Sequence, residues 1–256
     1  MDDSAQPTVE FRNVYYRLAS GHEILHDLNI EVWRGEILVL LGRSGSGKST
    51  ALKLVNRLRE HSSGKIRVEG RDIRQWDVIH LRRHIGYAIQ DVGLFPHLTV
   101  ERNIALLPEL ENWPAERVRG RVQELLKLVA LDGELGPRFP HQLSGGQRQR
   151  VGVARALAAD PPILLMDEPF GALDALTRTE LQREFLSLQR KLQKTVLFVT
   201  HDLHEALLLG SRIALLEEGK IVACGSSEEF LGSPDPLVRK YVDAFSAFDL
   251  LKRDRT

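Results

Sequence analysis

Ile37-Leu38-Val39-Leu40-Leu41-Gly42-Arg43-Ser44-Gly45-Ser46-Gly47-Lys48-Ser49-Thr50-Ala51-Leu52 runs from an unbroken apolar stretch through a glycine-rich turn into a segment of helical period. Five apolar residues without alternation predict a strand buried on both faces, as parallel sheets require. Glycines at 42, 45 and 47 let the backbone turn tightly and aim its N–H groups inward, and the helix N-terminus beyond them adds positive potential. In this phosphate-loop pattern Lys48 reaches the outer phosphates of a nucleotide, and the Ser49 hydroxyl can ligate Mg²⁺. The segment Gly42–Thr50 is therefore expected to cradle phosphate, with Leu52, Val55 and Leu58 on the buried face of the helix that follows.

Outward from that point, short Val/Ile/Leu runs alternate with helix-period segments, which predicts an α/β fold. Ile163–Met166, Val196–Thr200 and Ile213–Leu216 read as further strands, and Leu181, Phe185, Leu188 and Leu192 and then Leu203, Ala206, Leu207 and Gly210 as crossover helices. Glu217-Glu218-Gly219-Lys220 reads as a hairpin turn before Ile221-Val222-Ala223, adding an antiparallel edge. From about Val92 to Ala159 no strand is evident, while Val118, Val122, Leu125, Leu126 and Val129 keep helical spacing, so this stretch is expected to be a helical insertion. Pro234 and Pro236 open a last amphipathic helix through Val238, Tyr241, Val242, Phe245 and Phe248. The expected division is one domain: an α/β lobe at 1–91 and 160–235, a helical lobe at 92–159 and a C-terminal helix at 236–256.

The 256 residues are 43% hydrophobic and 27% charged, with 35 basic and 35 acidic side chains. Disorder and a disulfide scaffold are excluded by this composition, and zero net charge supplies no field to draw the chain onto nucleic acid. A single cysteine, Cys224, without zinc-type spacing fits a reducing compartment. The polar start, Met1-Asp2-Asp3-Ser4, is unlike a signal segment, and no run approaches the ~18 apolar residues of a spanning helix.

Two further segments carry chemistry. Met166-Asp167-Glu168 ends a strand in two carboxylates, which at the C-terminal end of a sheet strand face the ligand crevice. Asp167 is expected to hold Mg²⁺ through water and Glu168 to polarise the attacking water as general base. In Leu143-Ser144-Gly145-Gly146-Gln147, Ser144 and Gln147 have capping-box spacing, yet glycines fill the first helical positions at a cost of ~1 kcal/mol each relative to alanine. Bare backbone there admits an anion to the helix N-terminus, a second phosphate-contacting surface on one chain.

Phosphate loop, Gln90, Leu-Ser-Gly-Gly-Gln, the Asp167-Glu168 strand, Ala172-Leu173-Asp174 and His201 follow in an order that resembles ATP-binding cassette (ABC) ATPases over nearly the whole chain. The resemblance implies a phosphate-loop (RecA-like) NTPase core with an inserted helical subdomain, hydrolysing ATP with Mg²⁺. It implies that two copies, or two paired ABC subunits, close head-to-tail, each ATP lying between the phosphate loop of one chain and Ser144–Gln147 of the other. By the same resemblance Gln90 contacts ATP and Mg²⁺ and links them to a membrane subunit, Asp174 serves communication across the dimer, and His201 meets the γ-phosphate catalytically beside Lys48 and Glu168. The adenine-stacking aromatic of such proteins is replaced by Leu18; Tyr16 is the nearest substitute and equally suits a core-facing strand position.

Ile85-Gly86-Tyr87-Ala88-Ile89-Gln90 and Gly93-Leu94-Phe95-Pro96-His97-Leu98-Thr99-Val100 with Asn103-Ile104 resemble the permease-docking segment of bacterial importers; Leu94, Phe95 and Leu98 either form an apolar docking patch or pack beneath the lobe. The stretches Tyr87–Pro96 and Met166–Arg178 most resemble the quaternary-amine osmoprotectant group, which takes up glycine betaine, choline or carnitine. That implies transmembrane permease subunits and, indirectly, a solute-binding protein as partners, at the cytoplasmic face of the membrane. An amino-acid or polyamine importer and a soluble non-transport ABC ATPase are the alternatives.

Overall fold

A computed structural model describes residues 6–90, 92–171 and 173–253, by backbone alone from 246 onward, so that Ala172 and the Phe248 side chain lie outside the described residues. The chain separates into two compact units, one running to Val78 and resuming at Thr195, the other running from Ile79 to Lys194.

In the first unit, strands β1 (Val9–Arg17), β2 (Glu23–Val32), β4 (Ser63–Val68) and β5 (Arg71–Asp72) form an antiparallel sheet in the order β2-β1-β4-β5. Strand β3 (Ile37–Leu41) lies between β8 (Thr195–Thr200) and β9 (Arg212–Glu217), parallel to both, in registers that pair Ile37 with Val196 and Leu38 with Arg212. All five residues of β3 and all six of β8 are buried, the two-sided burial that their unbroken apolar runs require. Strand β10 (Lys220–Gly225) adds the antiparallel edge through the hairpin at Glu218-Gly219. Helix α1 (Lys48–Val55) starts straight from the glycine turn. It ends sooner than its apolar pattern predicts: Asn56 caps it, Arg57 turns left-handed at φ 51°, and Leu58 leaves the helical face and stands 49% exposed. Helices α7 (Leu203–Leu209), α8 (Ser227–Gly232) and α9 (Pro236–Arg253) complete the unit. The first turn of α9 is capped by Asp235, whose Oδ1 accepts from the Leu237 N–H at 2.8 Å.

The second unit opens with α2 (Val78–His84), within which the division falls, and β6 (Ile85–Ala88), parallel to β7 (Ile163–Asp167) with Ile85 opposite Ile163. Between those strands run α3 (Val100–Leu110), α4 (Ala115–Leu128) and α5 (Gly145–Ala156). Val118, Val122, Leu125 and Leu126 form the buried face of α4, as their spacing predicts. Arg121 of α4 donates to Leu157 O at 2.8 Å and Ala158 O at 3.2 Å, joining the Asp160 N–H on Leu157 O in the turn that follows α5. Helix α6 (Ala175–Leu192) follows β7 and buries Leu181, Phe185 and Leu188. This unit includes β6, β7 and α6 and is wider than the helical stretch 92–159. No described helix is long and apolar enough to cross a membrane.

Candidate functional site

In the first unit the glycine turn is built by three different constraints. A Cβ at Gly42 would lie 2.2 Å from Leu216 O, and one at Gly47 would lie 2.7 Å from Leu25 Cδ2, so both positions exclude side chains by contact. Gly45 faces open space, and its φ of +84° alone demands glycine. Gly47 is the N-cap of α1 in the left-handed region and supplies no side chain, so the first N–H groups of α1 receive no side-chain cap. Lys48, 4% exposed, folds back and donates from Nζ to Gly42 O at 2.8 Å and Arg43 O at 2.7 Å. The Ser46 hydroxyl is buried in the same turn and has no hydrogen-bond partner among the described residues. Arg43, Ser44 and Gly45 are exposed, and Ser49 and Thr50 are half-buried at the start of α1. Uncapped N–H donors, a lysine laid along the turn and an orphaned hydroxyl together form a cradle for an anion with several oxygens.

Tyr16 lies on β1 opposite Leu25, and Leu25 is the residue that crowds Gly47. It is half-buried, and Arg59 covers one face of its ring at 5.5 Å from the centroid and donates to its hydroxyl at 3.2 Å. Leu18 sits in the hairpin turn, its N–H donating to His22 O. His201 is exposed just beyond β8, and Asp202 after it caps α7 by accepting from the N–H groups of His204 and Glu205.

In the second unit, Asp167 is buried at the end of β7, and Tyr87 of β6 points its hydroxyl at Asp167 Oδ2, 3.4 Å away. Burial first, then the Asp167 carboxylate, push the Tyr87 phenol well above its ordinary pKa, so Tyr87 stays protonated and is the donor. Glu168 is half-buried and held at φ 46°, a left-handed conformation for a residue with a full side chain, which the surrounding Pro169-Phe170-Gly171 turn imposes through the Gly171 N–H to Glu168 O bond. Gln90 is exposed in the turn after β6.

Ser144 and Gln147 form the capping box that their spacing predicts: Ser144 Oγ accepts from the Gln147 N–H at 3.2 Å, and Gln147 Oε1 accepts from the Ser144 N–H at 2.9 Å. That accounts for the two polar residues and leaves the glycines unexplained. A Cβ on Gly145 would meet nothing nearer than Arg148 Nη2 at 3.9 Å, so nothing in this chain requires glycine there. Gly146 is tighter, since a Cβ added to it would lie 3.3 Å from Leu173 Cδ2. Asp174 caps α6 by accepting from the Thr177 N–H at 3.0 Å, and this bond holds its carboxyl below the usual range.

The first unit thus carries Gly42–Thr50, Tyr16 and His201, and the second carries Gln90, Ser144–Gln147, Asp167, Glu168 and Asp174. Sequence reasoning passed over Tyr87, Arg59 and Arg155, of which only Arg155 left a signal: it is the lone charge in the apolar run Val151–Ala159. Among the described residues no group of three or more His, Cys, Asp or Glu is placed to hold a metal by itself. In the second unit the Asp167 carboxylate, with Glu168 next to it, suits a cation that takes its other ligands from phosphate and water, which is how Mg²⁺ is usually bound.

A family model described as ABC transporter matches residues 25–171. The chain is 48% identical over 235 residues to the glycine betaine/carnitine/choline transport ATP-binding protein OpuCA of Bacillus subtilis (strain 168), covering 92% of this chain and 61% of that protein. It is 50% identical over 234 residues to the glycine betaine uptake system ATP-binding protein YehX of Escherichia coli (strain K12), covering 91% of this chain and 76% of that protein. Among solved structures, the ATP-binding cassette MJ0796 in a dimeric post-hydrolysis state bound to ADP and Pi matches with a TM-score of 0.80 and 34% identity, over 86% of this chain and 98% of that one. The chain spans about three fifths of the length of OpuCA and of the Bacillus subtilis choline transport protein OpuBA. On a family model covering more than half its length, identities near one half and the fold of a solved cassette, the chain belongs to the ABC transporter family.

Proposed function

We propose that this chain binds and hydrolyses ATP as the nucleotide-binding subunit of a membrane importer for a quaternary-amine osmoprotectant, working as a head-to-tail pair at the cytoplasmic face of the membrane. The observation that carries the nucleotide reading is the uncapped start of α1, with Lys48 bridging Gly42 O and Arg43 O beside it. When phosphate arrives, Lys48 exchanges carbonyl partners for phosphate oxygens, and the start of α1, whose N-cap Gly47 offers no side chain in the way, adds the positive end of its dipole. Glu168 positions and polarises the attacking water, and His201 contacts the γ-phosphate. Ser49, Gln90 and Asp167 are the residues that would hold Mg²⁺, and the ion would supply charge neutralisation at the phosphoryl group. Tyr87 keeps Asp167 oriented by donating to its Oδ2.

The two-chain site is supported by Gly145, a helix-start glycine that its own chain does not need. Ser144–Gln147 would close over the phosphates of the partner's nucleotide. The solute class rests on the names of OpuCA and YehX, and permease subunits would dock on the Gln90–Asn103 segment, where Phe95 is exposed. The solute meets the permease and a solute-binding protein. This chain therefore sets the energy supply and not the selectivity. Reconstitution with the permease encoded alongside it tests the assignment: ATP-dependent accumulation of glycine betaine, choline or carnitine in vesicles is expected. ATP hydrolysis that no membrane partner stimulates would support a non-transport ATPase instead.

A further inference from the structure

The loop that follows Gln90 is tied to α5 by two contacts that sequence patterns do not show. Arg155 lies in the second half of α5, and its guanidinium donates from Nη2 to Val92 O at 2.6 Å and from Nη1 to Gly93 O at 2.7 Å. These two carbonyls are its hydrogen-bond partners, and it forms no ion pair with a described residue. One turn earlier on the same face, Gly152 leaves a notch that the Val92 side chain fills, since a Cβ there would come within 2.7 Å of Val92 Cγ1. Val92 pays for this seat with a φ of 53°, a left-handed conformation that is a genuine outlier for a β-branched residue. A strained backbone of this kind persists only where its surroundings over-determine it, and here α5 supplies both constraints.

The far end of the same loop is fixed to α3. Asn103 is 0% exposed; its Oδ1 accepts from the Phe95 N–H at 2.8 Å, and its Nδ2 donates to the carbonyls of Phe95, Leu98 and Thr99 at 3.2, 3.0 and 2.9 Å. Between the two anchors Phe95 stands 41% exposed.

We propose that Arg155 is a positioning residue that carries movement of the α5 N-terminus, where Ser144–Gln147 meets nucleotide, to the exposed Phe95 loop. The inference rests on the two-chain nucleotide reading above. An α-helix is stiff along its axis at about 1.5 Å per residue, so the 12 residues of α5 act as one rod of about 18 Å. A rod held by nucleotide at one end and bonded to two loop carbonyls at the other transmits displacement without an intervening flexible joint. If the fork lets go, Val92 is free to relax out of its left-handed conformation. The loop then has two discrete arrangements, which is the physical requirement for coupling.

Amide hydrogen exchange on the whole chain tests this. Without nucleotide, Arg155→Met is expected to speed exchange of the Val92 and Phe95 amides, which donate to Ile89 O and Asn103 Oδ1, by about tenfold or more over the unsubstituted chain, with Arg155→Lys intermediate because an ammonium cannot hold both carbonyls in a planar fork. Gly152→Ala, which fills the notch while improving helix propensity, should loosen the Val92 amide with the fork itself intact, and a thermal melt checks that the variant is folded. In a Glu168→Gln background, added ATP is expected to slow exchange at Gly145–Gln147 and at Val92 and Phe95 together. With Arg155→Met added, the first response stays and the second disappears. Wild-type exchange of Val92 and Phe95 in Arg155→Met, or an undiminished loop response to ATP, overturns the proposal. If ATP leaves Gly145–Gln147 unchanged in the Glu168→Gln parent, the nucleotide reading has failed instead, and the comparison without nucleotide still decides whether Arg155 holds the loop.

Discussion

Lys48 and Glu168 answer to different tests because the structure holds them differently. Removing the Lys48 ammonium, 4% exposed, takes one donor from Gly42 O and one from Arg43 O, which keeps the Ser46 N–H, at a cost of about 1–3 kcal/mol. Lys48→Ala is therefore expected to lower the melting temperature of the nucleotide-free chain by several degrees, as well as weakening ATP binding and turnover; a thermal melt and a nucleotide titration check the two parts. Glu168→Gln keeps the shape of the side chain and the strained backbone at φ 46° while removing the charge proposed to polarise water. Binding of ATP should stay within about twofold while hydrolysis falls by about a hundredfold or more, measured by equilibrium titration and phosphate release. Hydrolysis near the parent rate would take Glu168 out of the base role. The positions of Asp167 and Glu168 were legible because an apolar run stops there, and that of Lys48 because it closes the glycine-rich turn after such a run. Tyr87 was not, since what distinguishes it is a neighbour on the adjacent strand, and pairing between strands leaves no mark in local spacing. The Arg59 guanidinium over Tyr16 was hidden for the same reason.

Helix starts in this chain separate stability from function. At Gly145 a methyl group meets open space, so Gly145→Ala should leave the fold unchanged or stabilise it by up to ~1 kcal/mol. If bare backbone at that point admits a partner's phosphates, the same change weakens ATP-driven association; a denaturant melt and sedimentation with ATP should move in opposite directions. Parallel losses in both would make the glycine structural. At α6 the cap is a carboxylate. The Thr177 N–H holds the Asp174 carboxyl below its ordinary range, so the cap contributes above the unfolded carboxyl's pKa and is lost as pH falls through the lowered folded value. Exchange protection at the start of α6 should decline in that acid window, and Asp174→Asn should flatten the response while keeping a capping oxygen. The buried faces of α4 and α6 were readable from period alone. The end of α1 was not, because the residue that turns left-handed is Arg57 and not the asparagine before it, which caps the helix at φ −91°. Asn103 was equally unreadable as an organiser: its four contacts run to backbone atoms of a loop whose path only packing decides.

For the molecule as a whole, the decisive experiment needs two chains. In the proposed head-to-tail pair, Ser144→Arg would obstruct the α5 end of each site and Lys48→Ala would spoil the phosphate loop. A mixed pair would then contain one site with both halves intact and one with neither. ATP-induced association between differently tagged Lys48→Ala and Ser144→Arg chains should exceed that of either variant alone, at concentrations high enough to populate a weak dimer. Normal dimerisation and hydrolysis by Ser144→Arg alone would reduce Ser144–Gln147 to a helix cap. The alternation of strands and helices along the chain revealed the α/β class. The compact units follow strand pairing instead: β6 and β7 bind one another from opposite ends of the stretch 85–167, and their partnership has no local signature. The first unit shows the same thing in a way that matters at the ribosome. Strand β3 is translated well before its partners β8 and β9, which lie at Thr195–Thr200 and Arg212–Glu217. At about 5–20 residues per second the nascent Ile37–Leu41 ribbon waits on the order of 10–30 s before either neighbour emerges. During that interval the five consecutive aliphatic residues have no native strand partner, while the segment from Ile79 to Lys194 is completed. The order of synthesis therefore lets the later-encoded unit close first and leaves the phosphate-loop strand unpaired for longest. Slowed translation within codons 60–190 should lower the soluble yield more than equal slowing after codon 220.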